Sequence, residues 1–141
     1  MYFEKLSLTA LENVIKKTLD CDKKVFIRQI KTETLSKDLT GDVFQLNIDF
    51  EVCNSIFVAD GVKKGVLTMS EYFVLLDEFD GQKYEKFDID LIKKYQGAMI
   101  EELKKVDPYV AEDYEMAVEF GKRLKLDPKE DKEFWFGENY G

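Results

Sequence analysis

The sequence predicts an α+β fold: an N-terminal helix, an antiparallel β-meander of about four strands, and two or three C-terminal helices packed on the sheet. Three features carry the prediction. From Phe44 to Val58 every even position but Asn54 is apolar, while the odd ones from Gln45 to Ser55 are polar apart from Cys53. Successive side chains of a strand point to opposite faces, so this alternation marks a ribbon with one dry and one wet side. Asp60-Gly61 and Asp80-Gly81 punctuate strand-like segments, and Asp-Gly suits a two-residue hairpin because both central residues take positive φ. On both flanks of this region apolar residues recur at three- and four-residue steps, the period of a helix seated on a sheet.

In chain order, Thr9-Ala-Leu-Glu12 fits a capping box, with Leu8, Leu11, Val14, Ile15 and Leu19 forming the apolar stripe behind it. Residues 24–32 are β-branched and aromatic enough for a strand, followed by a polar loop at 33–42 that ends in Thr40-Gly41-Asp42. The main strand then starts at Val43. A two-residue turn at Asp60-Gly61 sets Val52 opposite Met69, Ile48 opposite Phe73 and Leu46 opposite Leu75, dry face against dry face. Thr68-Met-Ser-Glu71 also fits a capping box, so residues 69–79 read either as strand or as helix. Asp88 or Asp90 caps a helix carrying Leu91, Ile92, Tyr95, Met99 and Leu103, in which Gly97 is expected to mark close packing. Asp107-Pro108 opens a further helix through Val110, Tyr114, Ala117 and Val118 to about Leu124, and Leu126-Asp127-Pro128 ends it. The whole chain, 1–141, reads as a single domain with an aromatic C-terminal tail at 129–141.

Composition narrows the function. With 45% apolar and 13% aromatic residues in 141, the chain can close a core without staples. It carries 29 acidic against 21 basic side chains, and residues 101–141 hold 12 acids and 7 bases. Such a surface repels phosphate backbones and steers toward basic partners, so direct nucleic-acid binding is not expected. Cys21 and Cys53 have neither metal nor disulfide spacing, and no leader or membrane span stands out; a cytoplasmic location is the expectation. Lys outnumbers Arg 19 to 2, a bias associated with AT-rich genomes such as those of low-GC bacteria and their phages.

Histidine is absent, which removes His-based triads and most zinc or iron sites, and no phosphate loop, dinucleotide turn or nucleophile elbow is present. No cofactor and no metal site are expected. Asp77-Glu78-Phe79-Asp80-Gly81 fails as a calcium loop, because Leu76 and Phe87 would fall where the ion needs carboxylates. The Asp88/Asp90 and Asp20/Asp22 pairs lie at helix ends, where Asp caps amides or meets the dipole. Glu71 is the odd acid: the first hairpin places it opposite Phe50 on the dry face, near Asn54, where desolvation would raise its pKa.

The second Asp-Gly turn sets Tyr72, Val74 and Leu76 against Ile89, Phe87 and Glu85 on the face opposite the first core. That apolar surplus must be covered by the tail residues Phe134, Trp135, Phe136 and Tyr140, by a second copy, or by a foreign partner. The sequence therefore predicts a non-enzymatic, acidic binding protein of the inhibitor, immunity or phage anti-defence type, docking a protein partner through Tyr72, Val74, Leu76, Phe87, Phe134, Trp135 and Phe136. A self-assembling phage structural or adaptor module is one alternative. A small-ligand binder is the other, with Glu71, Asn54 or Arg28 as the polar handle of a pocket between sheet and helices.

Overall fold

The structure is a computed structural model that describes residues 2–38, 41–53, 62–69, 73–84 and 88–123. A short 3-10 turn, Tyr2–Lys5, leads into α1 (Leu8–Thr18). Five strands follow: β1 (Lys24–Asp38), β2 (Gly41–Cys53), β3 (Lys63–Met69), β4 (Val74–Phe79) and β5 (Gln82–Lys83). They form one antiparallel sheet in sequence order, and α2 (Ile89–Val106) and α3 (Pro108–Arg123) complete the chain. The α+β meander between helices is as the sequence predicts, with one strand more than expected.

Helix ends follow local chemistry. Ser7, not Thr9, caps α1, its Oγ accepting from Ala10 N at 3.1 Å. Glu12 is thereby released to accept from Ile27 N on β1 at 2.7 Å, which ties the helix to the edge strand. α1 closes with Cys21 N donating to Lys16 O at 3.0 Å and Asp20 N to Lys17 O at 3.2 Å, the Schellman pattern. Asp20 takes the left-handed position at φ 55°, where glycine is usual. Asp88 caps α2 through Oδ1, which accepts from Asp90 N and Leu91 N. Asp107 Oδ1 accepts from Tyr109 N at 2.9 Å and so opens α3 beside Pro108, as the sequence predicts.

The sheet departs from expectation in three places. Most of the polar stretch expected as a loop at 33–42 is strand: β1 and β2 stay paired to Asp38 opposite Gly41, because ladder hydrogen bonds need backbone and not apolar side chains, while residues 39–40 lie outside the described residues. Bulges at Arg28 and Leu35 absorb the extra residues, and the first shifts the alternation of β1 so that Ile30, 41% exposed, comes opposite Ile48 where Val25 and Ile27 come opposite Val52 and Phe50. Next, β2 and β3 pair Leu46 with Met69, Ile48 with Leu67, Phe50 with Gly65 and Val52 with Lys63, not as a two-residue turn at Asp60-Gly61 requires. Residues 54–61 lie outside the described residues. Finally, the segment expected as one strand reverses between Met69 and Val74, which pair with each other, so its described residues supply the end of β3 and all of β4 and no helix.

That reversal changes faces. Across a hairpin, directly opposed residues share a side, so Val74 and Leu76 join Met69 and Leu67 toward the helices instead of pointing away from them. Val74 is 1% exposed within the main core, and Leu76 packs at its margin. The surplus face proposed for these two residues is therefore overturned by the register. Ile89, expected as a strand partner of Tyr72, is the first residue of α2. The second Asp-Gly turn does hold: Asp80 and Gly81 have φ 54° and 81°, and Glu78 pairs with Lys83 and Phe79 with Gln82.

The core forms where β2's even row meets the helices. Leu46, Ile48, Phe50 and Val52 close on Val14 and Ile15 of α1 and on Tyr95, Met99 and Leu103 of α2, with Ala111, Tyr114 and Val118 of α3 behind. Tyr2 meets Tyr114 edge-on at 5.3 Å, which fastens the N-terminal turn to α3. Phe50 lies opposite Gly65, and a bulge at Asp77 brings Phe79 opposite the same glycine, so the two rings stack at 6.0 Å across a bare backbone. Leu8 is the exception in the predicted stripe of α1, being 55% exposed.

The two interior glycines should respond in opposite ways to alanine. A Cβ at Gly65 would overlap the Phe50 ring and come within 2.9 Å of Glu78 O, so Gly65→Ala should destabilise by about 1–3 kcal/mol. Gly97 contradicts the expectation of close packing, because a Cβ there meets nothing within 4 Å. Gly97→Ala should therefore stabilise α2 by about 1 kcal/mol, the helix-propensity difference, and urea unfolding of both variants checks the pair.

Candidate functional site

Three regions of the surface hold chemistry. The first is the face of the sheet turned away from the helices, which carries Asn47, Asp49 and Glu51 of β2 and Val66 and Thr68 of β3. Cys53, Phe73 and Leu75 are buried but lie outside the helix-side core, so this second face is partly dry as well, through residues other than those expected. Arg28 sits here at the β1 bulge. Its Nε and Nη2 each lie 2.8 Å from Glu51 Oε2, and its guanidinium lies 5.4 Å from the Phe26 ring centre. It is an exposed, ion-paired side chain.

On the same face, Thr68 Oγ1 is within hydrogen-bonding reach of both Asn47 Oδ1, at 2.8 Å, and Asp77 Oδ2. One hydroxyl proton cannot serve two acceptors. When Asp77 is protonated it donates to Thr68, and Thr68 donates onward to Asn47, so every group is satisfied. Burial pushes the Asp77 carboxyl above its ordinary value of 3.8, against a smaller opposing pull from the Thr68 hydroxyl.

The second region is the outer line of α3. Ala111, Tyr114 and Val118 are buried, and at 3.6 residues per turn Tyr109 and Met116 fall on the opposite side. They are 80% and 64% exposed. Glu112, Asp113 and Glu115 are exposed around them, and Val106, at the end of α2, is 54% exposed beside the start of the helix. The predicted stripe through Val110, Tyr114, Ala117 and Val118 covers only the inner side of the helix. Tyr109 and Met116, seven residues apart and out of phase with that stripe, were the readable sign of a second apolar line.

The third region is a cleft of about 420 Å³ beneath the Leu19–Lys23 turn, between β3, β4 and α2. Its floor is Leu19, Leu76, Phe79 and Leu91, all partly buried. Lys63 and Lys94 stand at its rim. A shallower neighbour of about 520 Å³ lies across the same turn, with the buried Glu102 carboxylate held by Lys105 at 3.2 Å and Lys17 at 3.7 Å.

Of the residues singled out from the sequence, Val74 is sealed in the core, Leu76 lines the cleft, and Arg28 is on the second face of the sheet. Asn54, Glu71, Tyr72, Phe87, Phe134, Trp135 and Phe136 lie outside the described residues, and so does the tail at 129–141. Phe50, expected opposite Glu71, faces Gly65. Among the described residues no group of three or more His, Cys, Asp or Glu side chains could hold a metal ion, and Cys21 and Cys53 are free thiols. No helix among the described residues is long and apolar enough to cross a membrane. No protein-family model, curated protein or solved structure matches the chain.

Asp77 makes stability depend on pH with a definite sign. Because its folded pKa is raised, the native state holds the proton more tightly than the unfolded chain, so its contribution is complete below the ordinary carboxylate value of 3.8 and is lost as pH rises through the folded value. Asp77→Asn, whose amide can donate to Thr68 at any pH, should be more stable than wild type at pH 7. The difference should vanish in thermal melts at pH 3.

Proposed function

We propose that this chain is a non-catalytic binding protein that docks on a basic protein partner, in the manner of small inhibitor or immunity proteins, through the outer face of α3. One observation carries the reading: Tyr109 and Met116 stand 80% and 64% exposed on a helix that also exposes the acidic side chains Glu112, Asp113 and Glu115. Aromatic and methionine side chains bury large area at interfaces, and Tyr is frequent among the residues that dominate binding energy. The carboxylates around them would accelerate encounter with a positive surface and discourage negative ones. A net charge of −8 adds to that long-range pull.

A second reading, self-assembly of identical copies, is favoured by the sheet order, which among the described residues leaves the outer edge of the 15-residue β1 without a neighbouring strand. Unpaired edges are templates for further strands. The bulges at Arg28 and Leu35 and the Glu12 carboxylate on Ile27 N work against it, since each breaks or occupies that edge.

Affinity capture from host lysate tests the first reading when wild type is compared with a Tyr109→Ser, Met116→Ser double variant. A basic protein should be retained by wild type, released by moderate salt, and bound at least about 30-fold more weakly by the variant, the loss typical of a 2 kcal/mol hot spot. Retention of the same protein by the variant would count against α3. A stable dimer or ring in light scattering, with no partner captured, would favour assembly.

A further inference from the structure

The geometry points to the cleft under the Leu19–Lys23 turn as a binding site for a small amphipathic anion, a molecule with an apolar body and a carboxylate-type head. The inference is independent of the α3 interface. The cleft's volume of about 420 Å³ falls within the ~300–1,000 Å³ of ordinary ligand pockets. Its floor is apolar where a surface concavity could have been polar: Leu19, Leu76, Phe79 and Leu91 pack against the core with one side and leave the other toward the cleft. An apolar body laid there would remove that surface from water.

The rim supplies the charge preference. Lys63 enters from β3 and Lys94 from α2, so two ammonium groups approach the same floor from different elements. Lys63 Nζ stands 5.9 Å from the Phe79 ring centre. Each lysine has a carboxylate partner, Asp80 at 3.8 Å and Asp20 at 3.2 Å. Asp20 and Asp22 line the cleft too, beside Lys23, so three ammonium groups and two carboxylates surround the floor and leave its rim net positive. A ligand head on the floor therefore meets one more ammonium group than it meets carboxylates. Exposed ion pairs of this kind are worth little, so exchanging an aspartate for a ligand head sacrifices little binding energy. The ligand's own carboxylate, held against an apolar floor, would gain a stronger charge-assisted bond.

The turn itself is built to hold this shape. Asp20 adopts the left-handed conformation that closes α1, and the Schellman bonds fix the chain as it passes over the cleft mouth. Cys21 is held in place as its sulfur accepts from Lys23 N at 3.4 Å.

Titration of the full chain with decanoate, followed by amide chemical shifts, tests the site. The proposal expects one-to-one saturation with shifts centred on Leu76, Phe79 and Leu91, much weaker binding of decylammonium, and none of acetate. A Lys63→Gln, Lys94→Gln double variant, altered only at exposed side chains, should fold normally and bind decanoate about tenfold more weakly, equivalent to 1.4 kcal/mol. The proposal is overturned if decanoate fails to saturate, if shifts centre on Tyr109 and Met116, if decylammonium binds equally well, or if the double variant binds as wild type does.

Discussion

Phe50 opposite Gly65 is the contact on which the rest of this structure depends. The alternation of β2 restricts its pairing to registers that keep Leu46, Ile48, Phe50 and Val52 on one side, since a slip of one residue would turn the whole row to solvent. Parity alone leaves several registers open, each two residues apart. The glycine chooses among them. A Phe50 ring packed over the sheet needs a partner without a side chain, and Gly65 lets that ring stack on Phe79 from the strand beyond. Glycine weakens a strand by its own backbone entropy, and an aromatic ring laid over it offsets the loss with burial.

Once that register is set, the faces of β3 and β4 follow. Met69 pairs with Leu46 on one side and Val74 on the other, so the three residues form one row under α2. The bulge at Asp77 then returns Phe79 to the helix side and places the Asp77 carboxyl beside Thr68 on the opposite face. One extra residue thus produces both the aromatic stack and the titratable hydrogen-bond chain. The same arrangement leaves Leu76 half covered at the end of the core, where it becomes floor to the cleft beneath the α1–β1 turn. α3 is furthest from the sheet. Packed through Ala111, Tyr114 and Val118 on the helix layer, it turns Tyr109 and Met116 outward.

What was legible in the sequence was whatever a short window determines. The alternation of β2, the positive φ at Asp80-Gly81, the Asp88 cap and the Asp107-Pro108 helix start are each set by residues a few positions apart. What was not legible depended on distant partners. Residues 33–38 look like loop because they are polar, yet β2 supplies a backbone ladder for them. Ser7 and Thr9 both offer a capping hydroxyl, and the choice is completed by Glu12 reaching Ile27 N on a strand. The reversal between Met69 and Val74 has no glycine or proline to announce it, and a continuous strand in its place sets Val74 and Leu76 on the wrong face. A glycine in mid-helix suggests close packing, yet Gly97 is open surface. Of the site residues, Tyr109 and Met116 were visible as a seven-residue spacing but hidden behind the stronger inner stripe of their own helix.

Cross-strand NOEs from β2 to β3 test this account at its root. The account predicts contacts from Ile48 to Leu67 and from Phe50 to Gly65, with Met69 adjacent to both Leu46 and Val74. Contacts from Ile48 to Phe73 and from Phe50 to Glu71 would contradict it, because they would restore a continuous strand through residues 70–73 and return Val74 to the face away from the helices.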